Sequence, residues 1–153
     1  HEDDSRVIDE SYENLFNEEL ELGINNMSFY KNFKIKAEEI KNEYLSFLND
    51  CKNKGLFVCA YGAAAKGNTL LNYCGVKNDL ISFVCDAAEA KQNKFLPGSR
   101  IPILHPEVLK KQQKIDYVLI FPWNIAEEVI FQLDFLKKKG TKFVQAIPKL
   151  TII

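Results

Sequence analysis

The sequence is poor in the residues from which enzymes usually build a reaction centre. It holds two histidines and one tryptophan in 153 residues, and no two cysteines form a C-x-x-C pair. Because structural zinc sites are commonly built from such pairs, we expect no metal site in this chain. No Ser/His/Asp or Cys/His set is evident, and neither H-E-x-x-H nor G-x-x-x-x-G-K-[ST] occurs. The chain alone therefore has the character of a binding domain, and we expect no catalytic residue in it.

Long hydrophobic runs and a strong net charge are also absent. No apolar run reaches the roughly 20 residues that cross a bilayer, so we expect no membrane partner. The net charge of −1 argues against nucleic-acid binding. The chain opens on acidic residues unlike a leader peptide, and Cys59 and Cys85 lie in apolar runs that predict buried thiols, which favours the cytoplasm. Since the first residue is not methionine, we expect a part of a longer protein.

Charge is unevenly distributed along the chain. Residues 1–23 hold nine acidic residues and a single arginine, so the remainder is net positive, which suits a small anionic ligand. Apolar spacing predicts an acidic amphipathic helix over 7–22 and a longer helix over 27–52. We therefore expect an N-terminal helical extension of two helices over 1–54. Its apolar stripes can pack on the core of the same domain or on a domain upstream, and both interpretations stay open.

From residue 55 onward, short apolar runs alternate with helical patterns. Strands are predicted over 56–61, 80–85, 101–104, 117–121 and 142–146, and helices over 67–75, 106–113 and 124–139. Asn124, with Glu127 three residues later, predicts the N-cap of the last helix. The alternation predicts right-handed βαβ units and a parallel sheet. The fold class is thus α/β, with a Rossmann-like parallel sheet flanked by helices over 55–153.

The turn after the first predicted strand carries the main functional signal. Gly62 and Gly67 keep the first and last glycines of a G-x-G-x-x-G turn, but Ala64 replaces the middle one and hinders the approach of a pyrophosphate. A helix N-terminus with Lys66 beside it can still attract an anion. The alternative is purely structural: both glycines merely form a tightly packed turn.

Two further segments follow predicted strands. Asp86 stands where an acid can accept hydrogen bonds from a ribose, or can form an Asx turn instead. The loop that follows offers Lys91, Gln92 and Lys94 to phosphates or sugar hydroxyls, although such a loop can equally be solvated. Trp123 can stack on a base or a sugar ring, or can fill the core. Because parallel strands end at one edge, we expect this turn and the glycine turn to open on the same face.

Four segments occur in a characteristic order along the chain. They are G-A-A-A-K-G-N-T-L-L from residue 62, Asp86, K-Q-x-K-x-L-P-G from residue 91, and P-W-N from residue 122. Together, from about residue 27 to the end, they resemble the C-terminal domain of S-adenosylmethionine-dependent sugar C-methyltransferases. The resemblance implies a Rossmann-like domain that helps to bind a nucleotide-diphosphate sugar, a keto-deoxysugar, at its interface with a central methyltransferase domain.

The resemblance also divides the expected functions among domains. It implies that S-adenosylmethionine, a zinc site and the acid/base residues belong to upstream domains of the same polypeptide, and this chain has no second glycine-rich turn for that cofactor. Carried over residue by residue, it implies a set of substrate-binding candidates. They are Gly62, Ala63, Ala64, Ala65, Lys66, Gly67, Asn68, Asp86, Lys91, Gln92, Lys94, Pro122, Trp123 and Asn124.

Two other functions stay open at this point. A stand-alone nucleotide-binding or NAD(P)-binding domain would account for the glycine turn, although Ala64 weighs against it. A non-catalytic interaction module would account for the apolar stripes of the helical extension, and it predicts a complex without a ligand.

Overall fold

The computed structural model describes residues 9–153, so the predicted start of the first helix, at residues 7 and 8, lies outside the described residues. The helices are α1 (Glu10–Glu21), α2 (Met27–Lys31), α3 (Phe33–Asn53), α4 (Ala65–Cys74), α5 (Glu107–Lys111), α6 (Ala126–Gln132) and α7 (Asp134–Lys137). The strands are β1 (Val58–Tyr61), β2 (Val84–Cys85), β3 (Lys94–Phe95), β4 (Pro102–Leu104), β5 (Tyr117–Ile120), β6 (Lys142–Gln145) and β7 (Thr151–Ile152). None of the helices in this part of the chain is long and apolar enough to cross a membrane.

The strands form one sheet in the order β3–β4–β2–β1–β5–β6–β7. The five inner strands are parallel, which confirms the predicted α/β class. The outer strands β3 and β7 are antiparallel to their neighbours and were not predicted, because two residues are too few to give a pattern. From β1 the chain builds outward through β2 to β4, then returns to the other side of β1 to form β5 and β6. The direction of strand order therefore reverses between β1 and β5.

Each face of the sheet has its own hydrophobic core. Val58 and Ala60 of β1 lie in one core with buried residues of α3 and α4, whereas Cys59 lies in the other with residues of α5, α6 and α7. Successive side chains of a strand point to opposite faces, so β1 has to be apolar at every position. This burial on both faces accounts for the continuous apolar run from which the strand was predicted.

The N-terminal helices are divided differently from the prediction. The chain separates into two compact units between residues 38 and 39, inside α3, whereas the sequence suggested a boundary at residues 54 and 55. The reason is that Tyr44, Leu48 and Cys51 of α3 are buried in the core of the sheet domain. The helix predicted over 27–52 is also interrupted at Asn32, so residues 9–57 contain three helices where two were predicted.

Two further elements differ from the prediction. The strand predicted over 80–85 is formed only at its last two residues, although Ser82 N–H still donates to the carbonyl of Val58 at 3.0 Å. The helix predicted over 124–139 is divided into a 3-10 turn, α6 and α7. Asn124 does not cap it, because its side-chain oxygen accepts a hydrogen bond from the ammonium group of Lys66 instead.

All four cysteines are buried free thiols, as expected for Cys59 and Cys85. Burial in the apolar core raises the pKa of the Cys85 thiol to about 12 and also raises that of Cys59, which lies on the neighbouring strand. Both thiols are completely inaccessible to solvent. They are consequently protonated over a pH range in which the thiols of an unfolded chain already ionise.

We predict that the free energy of unfolding decreases as the pH rises above about 9. In the unfolded chain the thiols lose protons near their ordinary pKa of about 8.5, whereas the folded chain retains them. Each of the two thiols then removes about 1.4 kcal/mol per pH unit until its folded pKa is passed. Urea denaturation of the parent and of Cys85→Ala at pH 7 to 10.5 measures the slope. Equal slopes in the two proteins would contradict the assignment.

Candidate functional site

Three turns meet at the carboxyl edge of the sheet, where β1, β2 and β5 end. The turn after β1 leads into α4, Asp86 follows β2, and the turn after β5 begins at Phe121. Since β5 pairs with β1 along its whole length, the first and third turns are neighbours. They flank the position at which strand order reverses, where open α/β sheets usually bind ligands. The expectation that these two turns open on one edge is confirmed.

Close packing explains both glycines of the first turn. Gly62 has a φ of +87°, and a Cβ atom there would lie 2.5 Å from Cδ of Pro122. A Cβ atom on Gly67 would overlap the ring of Phe121. The structural interpretation therefore accounts for the two glycines, which let the turn after β1 and the start of α4 approach the turn after β5.

Two backbone amides of the first turn are already used within the protein. Ala63 N–H donates to Oδ2 of Asp86 at 2.7 Å, and Ala64 N–H donates to the carbonyl of Gly62 at 2.7 Å. The first three N–H groups of α4, from Ala65 onward, have no acceptor within the helix, because the helix begins there. An anion would therefore meet the N-terminus of α4 rather than the turn itself.

Lys66 joins the first and third turns. Its Nζ atom donates a hydrogen bond to Oδ1 of Asn124 and lies 5.0 Å from the centroid of the Trp123 ring. That distance is typical of a cation–π contact. Trp123 is half-buried and Lys66 is exposed, so the indole is not simply a core residue. Both side chains face the edge at which strand order reverses.

Asp86 joins the first turn to the loop after β2. Its Oδ1 accepts the N–H of Ala88 at 2.8 Å, and its Oδ2 accepts Nζ of Lys91 at 3.0 Å besides the N–H of Ala63. The bond to Ala88 is the Asx turn considered from the sequence. Gln92 closes the same loop, since its Nε2 donates to the carbonyl of Asp86 at 2.9 Å. Asp86 itself is only 7% exposed.

Comparison with known proteins identifies a family and a relative of this chain. Residues 1–148 match the family described as the C-methyltransferase C-terminal domain. The chain belongs to this family. It is also similar to C-methyltransferase NovU of Streptomyces niveus, with 35% identity over 136 residues, which is 89% of this chain. The chain spans 32% of the length of that relative. The resemblance stated from the sequence motifs is thus confirmed at the level of the family.

Not every predicted residue of this C-methyltransferase C-terminal domain joins the three turns. Lys94 lies on β3, at the outer side of the sheet, and its Nζ donates to the carbonyl of Ala90 at 2.6 Å, which closes its own loop. The side-chain oxygen of Asn68, in the first turns of α4, is buried and has no hydrogen-bond partner among residues 9–153.

Sequence reasoning missed two participants of the site. Phe121 was taken as the end of a strand, yet its ring packs against Gly67 of α4. Ala88 supplies a backbone N–H group to Asp86, and the signal available for it was the Asp itself, since an Asx turn uses the N–H two residues later. For Phe121 the residue type gave no sign, because its contact depends on the tertiary approach of α4 to the turn after β5.

No metal centre marks the site in the described part of the chain. Residues 9–153 contain no group of three or more His, Cys, Asp or Glu side chains arranged to hold a metal ion. An open hollow of about 580 Å³ lies elsewhere, between α3 and the C-terminal segment. Its lining consists of Asn42, Glu43, Ser46, Phe47, Lys149 and Leu150. Because none of the three turns contributes to it, we assign the hollow no part in the candidate site.

We predict that Gly67→Ala lowers the free energy of unfolding by about 1–3 kcal/mol, because the added methyl group overlaps the Phe121 ring. Thr69→Ala, at an exposed position of the same helix, is the control and should change it by no more than about 0.5 kcal/mol. Urea denaturation followed by circular dichroism measures both. A Gly67→Ala protein as stable as the control would show that α4 and the turn after β5 are not in close contact.

Proposed function

We propose that this C-methyltransferase C-terminal domain binds the diphosphate and base of a nucleotide-linked keto-sugar, and so holds the sugar for methylation elsewhere in the full polypeptide. The observation that carries the proposal is the position of Lys66. Its ammonium group stands on the first turn of α4 and contacts Asn124 and Trp123 across the place where strand order reverses.

Charge favours a phosphate at this position. The contacts of Lys66 described above are to an amide oxygen and an aromatic ring, neither of which carries a formal charge, so its positive charge is not neutralised by them. The N-terminus of the ten-residue helix α4 adds the partial positive charge of the helix dipole and N–H groups without helical acceptors. A lysine and a helix N-terminus together are a common phosphate-binding combination.

Trp123, beside Lys66, suits the base or the sugar of such a ligand. Trp123 is half-buried in the turn after β5, so its ring is held in place while part of it stays accessible. Indole rings stack on bases and sugar rings through their faces. We propose that the base or the sugar of the ligand lies against Trp123 while a phosphate lies against Lys66.

We propose that S-adenosylmethionine does not bind at the turn after β1. Ala63 and Ala64 already use their N–H groups, and the methyl group of Ala64 stands where a dinucleotide-type turn has glycine. The same facts weigh against the NAD(P)-binding alternative. We therefore propose that the cofactor binds in an upstream domain, and that this domain contributes by positioning the substrate, which lowers the entropic cost of the reaction.

The helical extension is proposed to contact that upstream domain. Tyr12, Leu15, Phe16 and Leu20 recur at helical spacing on α1, and each of them is between 44% and 56% exposed. Such a stripe usually packs against another surface. Since NovU extends well beyond the matched region, we propose that a further domain of the same polypeptide packs against this stripe.

The four free thiols of the chain fit a cytoplasmic location for the whole protein.

We predict that Lys66→Glu weakens the binding of thymidine diphosphate by about 10- to 100-fold, the value of a lost charge-assisted hydrogen bond combined with added repulsion. Lys142→Glu is the matched control, because it makes the same charge change at an exposed position where β6 begins, on the opposite edge of the sheet. Isothermal titration calorimetry measures all three affinities. Equal affinity in Lys66→Glu and the parent would refute the proposal.

Fluorescence of the single tryptophan separates the proposal from its alternatives. We predict that thymidine diphosphate changes the emission of Trp123 at concentrations at which NADH leaves it unaltered, because the turn after β1 lacks free amides for a dinucleotide. A response to NADH alone would favour the NAD(P)-binding alternative. No response to either nucleotide would favour the interaction module.

A further inference from the structure

Asp86 stands at the candidate site, yet both of its carboxylate oxygens are committed to the protein. Two of the three donors are backbone N–H groups, at Ala63 and Ala88, and the third is the ammonium group of Lys91. The three donors occupy three of the roughly four acceptor positions of a carboxylate, and Asp86 is only 7% exposed, so a ligand hydroxyl has little access to the position that remains. A backbone N–H group that loses its acceptor inside a protein is costly, so the observed bonds favour a fixed carboxylate.

We infer that Asp86 is a positioning residue, which holds the turn before α4 in place and does not contact the pentose of the nucleotide. Its bond to Ala63 fixes the chain three residues before Lys66, at the point where the turn enters α4. The direction of Lys66 toward Trp123 and Asn124 depends on that entry. This inference rests on the proposed function and gives Asp86 a role different from the ribose contact that its place after β2 suggests.

The same chain contains a matched carboxylate far from the site. At the opposite edge of the sheet, Oδ2 of Asp116 accepts the N–H of Phe57 at 2.8 Å, and its Oδ1 lies 2.7 Å from Nζ of Lys114. Asp116 precedes β5 and Phe57 precedes β1, so this carboxylate joins the amino ends of those two strands. Like Asp86, it accepts a backbone N–H group and a lysine ammonium group, with one backbone N–H group fewer, but it lies away from the candidate site.

The test compares two ligands and two variants by calorimetry. Thymidine diphosphate and 3′-deoxythymidine diphosphate are titrated into the parent, Asp86→Asn and Asp116→Asn. We expect Asp86→Asn to weaken both ligands by the same factor, about tenfold, and Asp116→Asn to weaken neither. A general loss of stability would act in both variants, because each removes a carboxylate that accepts a backbone N–H group.

Three results would overturn the inference. In Asp86→Asn, a loss confined to the ligand with the 3′-hydroxyl would mean direct contact with the pentose. Unchanged affinity for both ligands would mean that Asp86 positions nothing. An equal loss in Asp116→Asn would mean that the effect is general. If the parent binds neither nucleotide, it is the proposed function that fails, so the two failures are distinguishable.

A second measurement needs no variant and so remains valid if Asp86→Asn does not fold. Amide hydrogen exchange of the parent is followed by NMR with and without thymidine diphosphate. We expect Ala63 and Ala88 to stay protected in the complex, because Asp86 keeps both bonds. Ala60, which donates to the carbonyl of Phe83 at 2.9 Å within the sheet, is the reference. Loss of protection at Ala63 and Ala88 alone, on binding, would show that the carboxylate turns to the ligand.

Discussion

The close approach of the turns after β1 and β5 is the constraint on which the candidate site depends. A side chain at position 62 would overlap Pro122, and a side chain at position 67 would overlap Phe121, so both positions require glycine. With a methyl group at either position, α4 could not begin where it does. Because α4 begins there, Lys66 on its first turn comes within contact of Trp123 and Asn124. The same constraint that makes the glycines structural therefore also assembles the proposed phosphate site.

Local sequence was sufficient for the centre of the fold. β1 and β5 are buried on both faces, so their apolar runs were continuous and easily recognised. The glycine turn after β1 was recognised because a positive φ and tight packing require glycine at a few positions only. The order of the motifs then indicated the family, which the comparison of residues 1–148 confirmed.

The remaining features depend on partners that are distant in the sequence. Ala63 and Asp86 are 23 residues apart, and Lys66 and Asn124 are 58 residues apart. Asn124 had the residue type and spacing of a helix cap, and only the tertiary contact with Lys66 determines its actual bond. The burial of Leu48 of α3 against the sheet likewise cannot be read from the helix alone.

The fixed carboxylate of Asp86 also distinguishes this turn electrostatically from a dinucleotide turn. In the latter, backbone N–H groups of the turn face a pyrophosphate. Here the N–H group of Ala63 faces a carboxylate that is 7% exposed, and like charges repel strongly where water is excluded. Lys91 balances that carboxylate, whereas the contacts of Lys66 with Asn124 and Trp123 are to uncharged groups. A ligand phosphate bound under the proposed function would accordingly lie on the Lys66 side of the edge, away from Asp86, which places the rest of the nucleotide within reach of the indole.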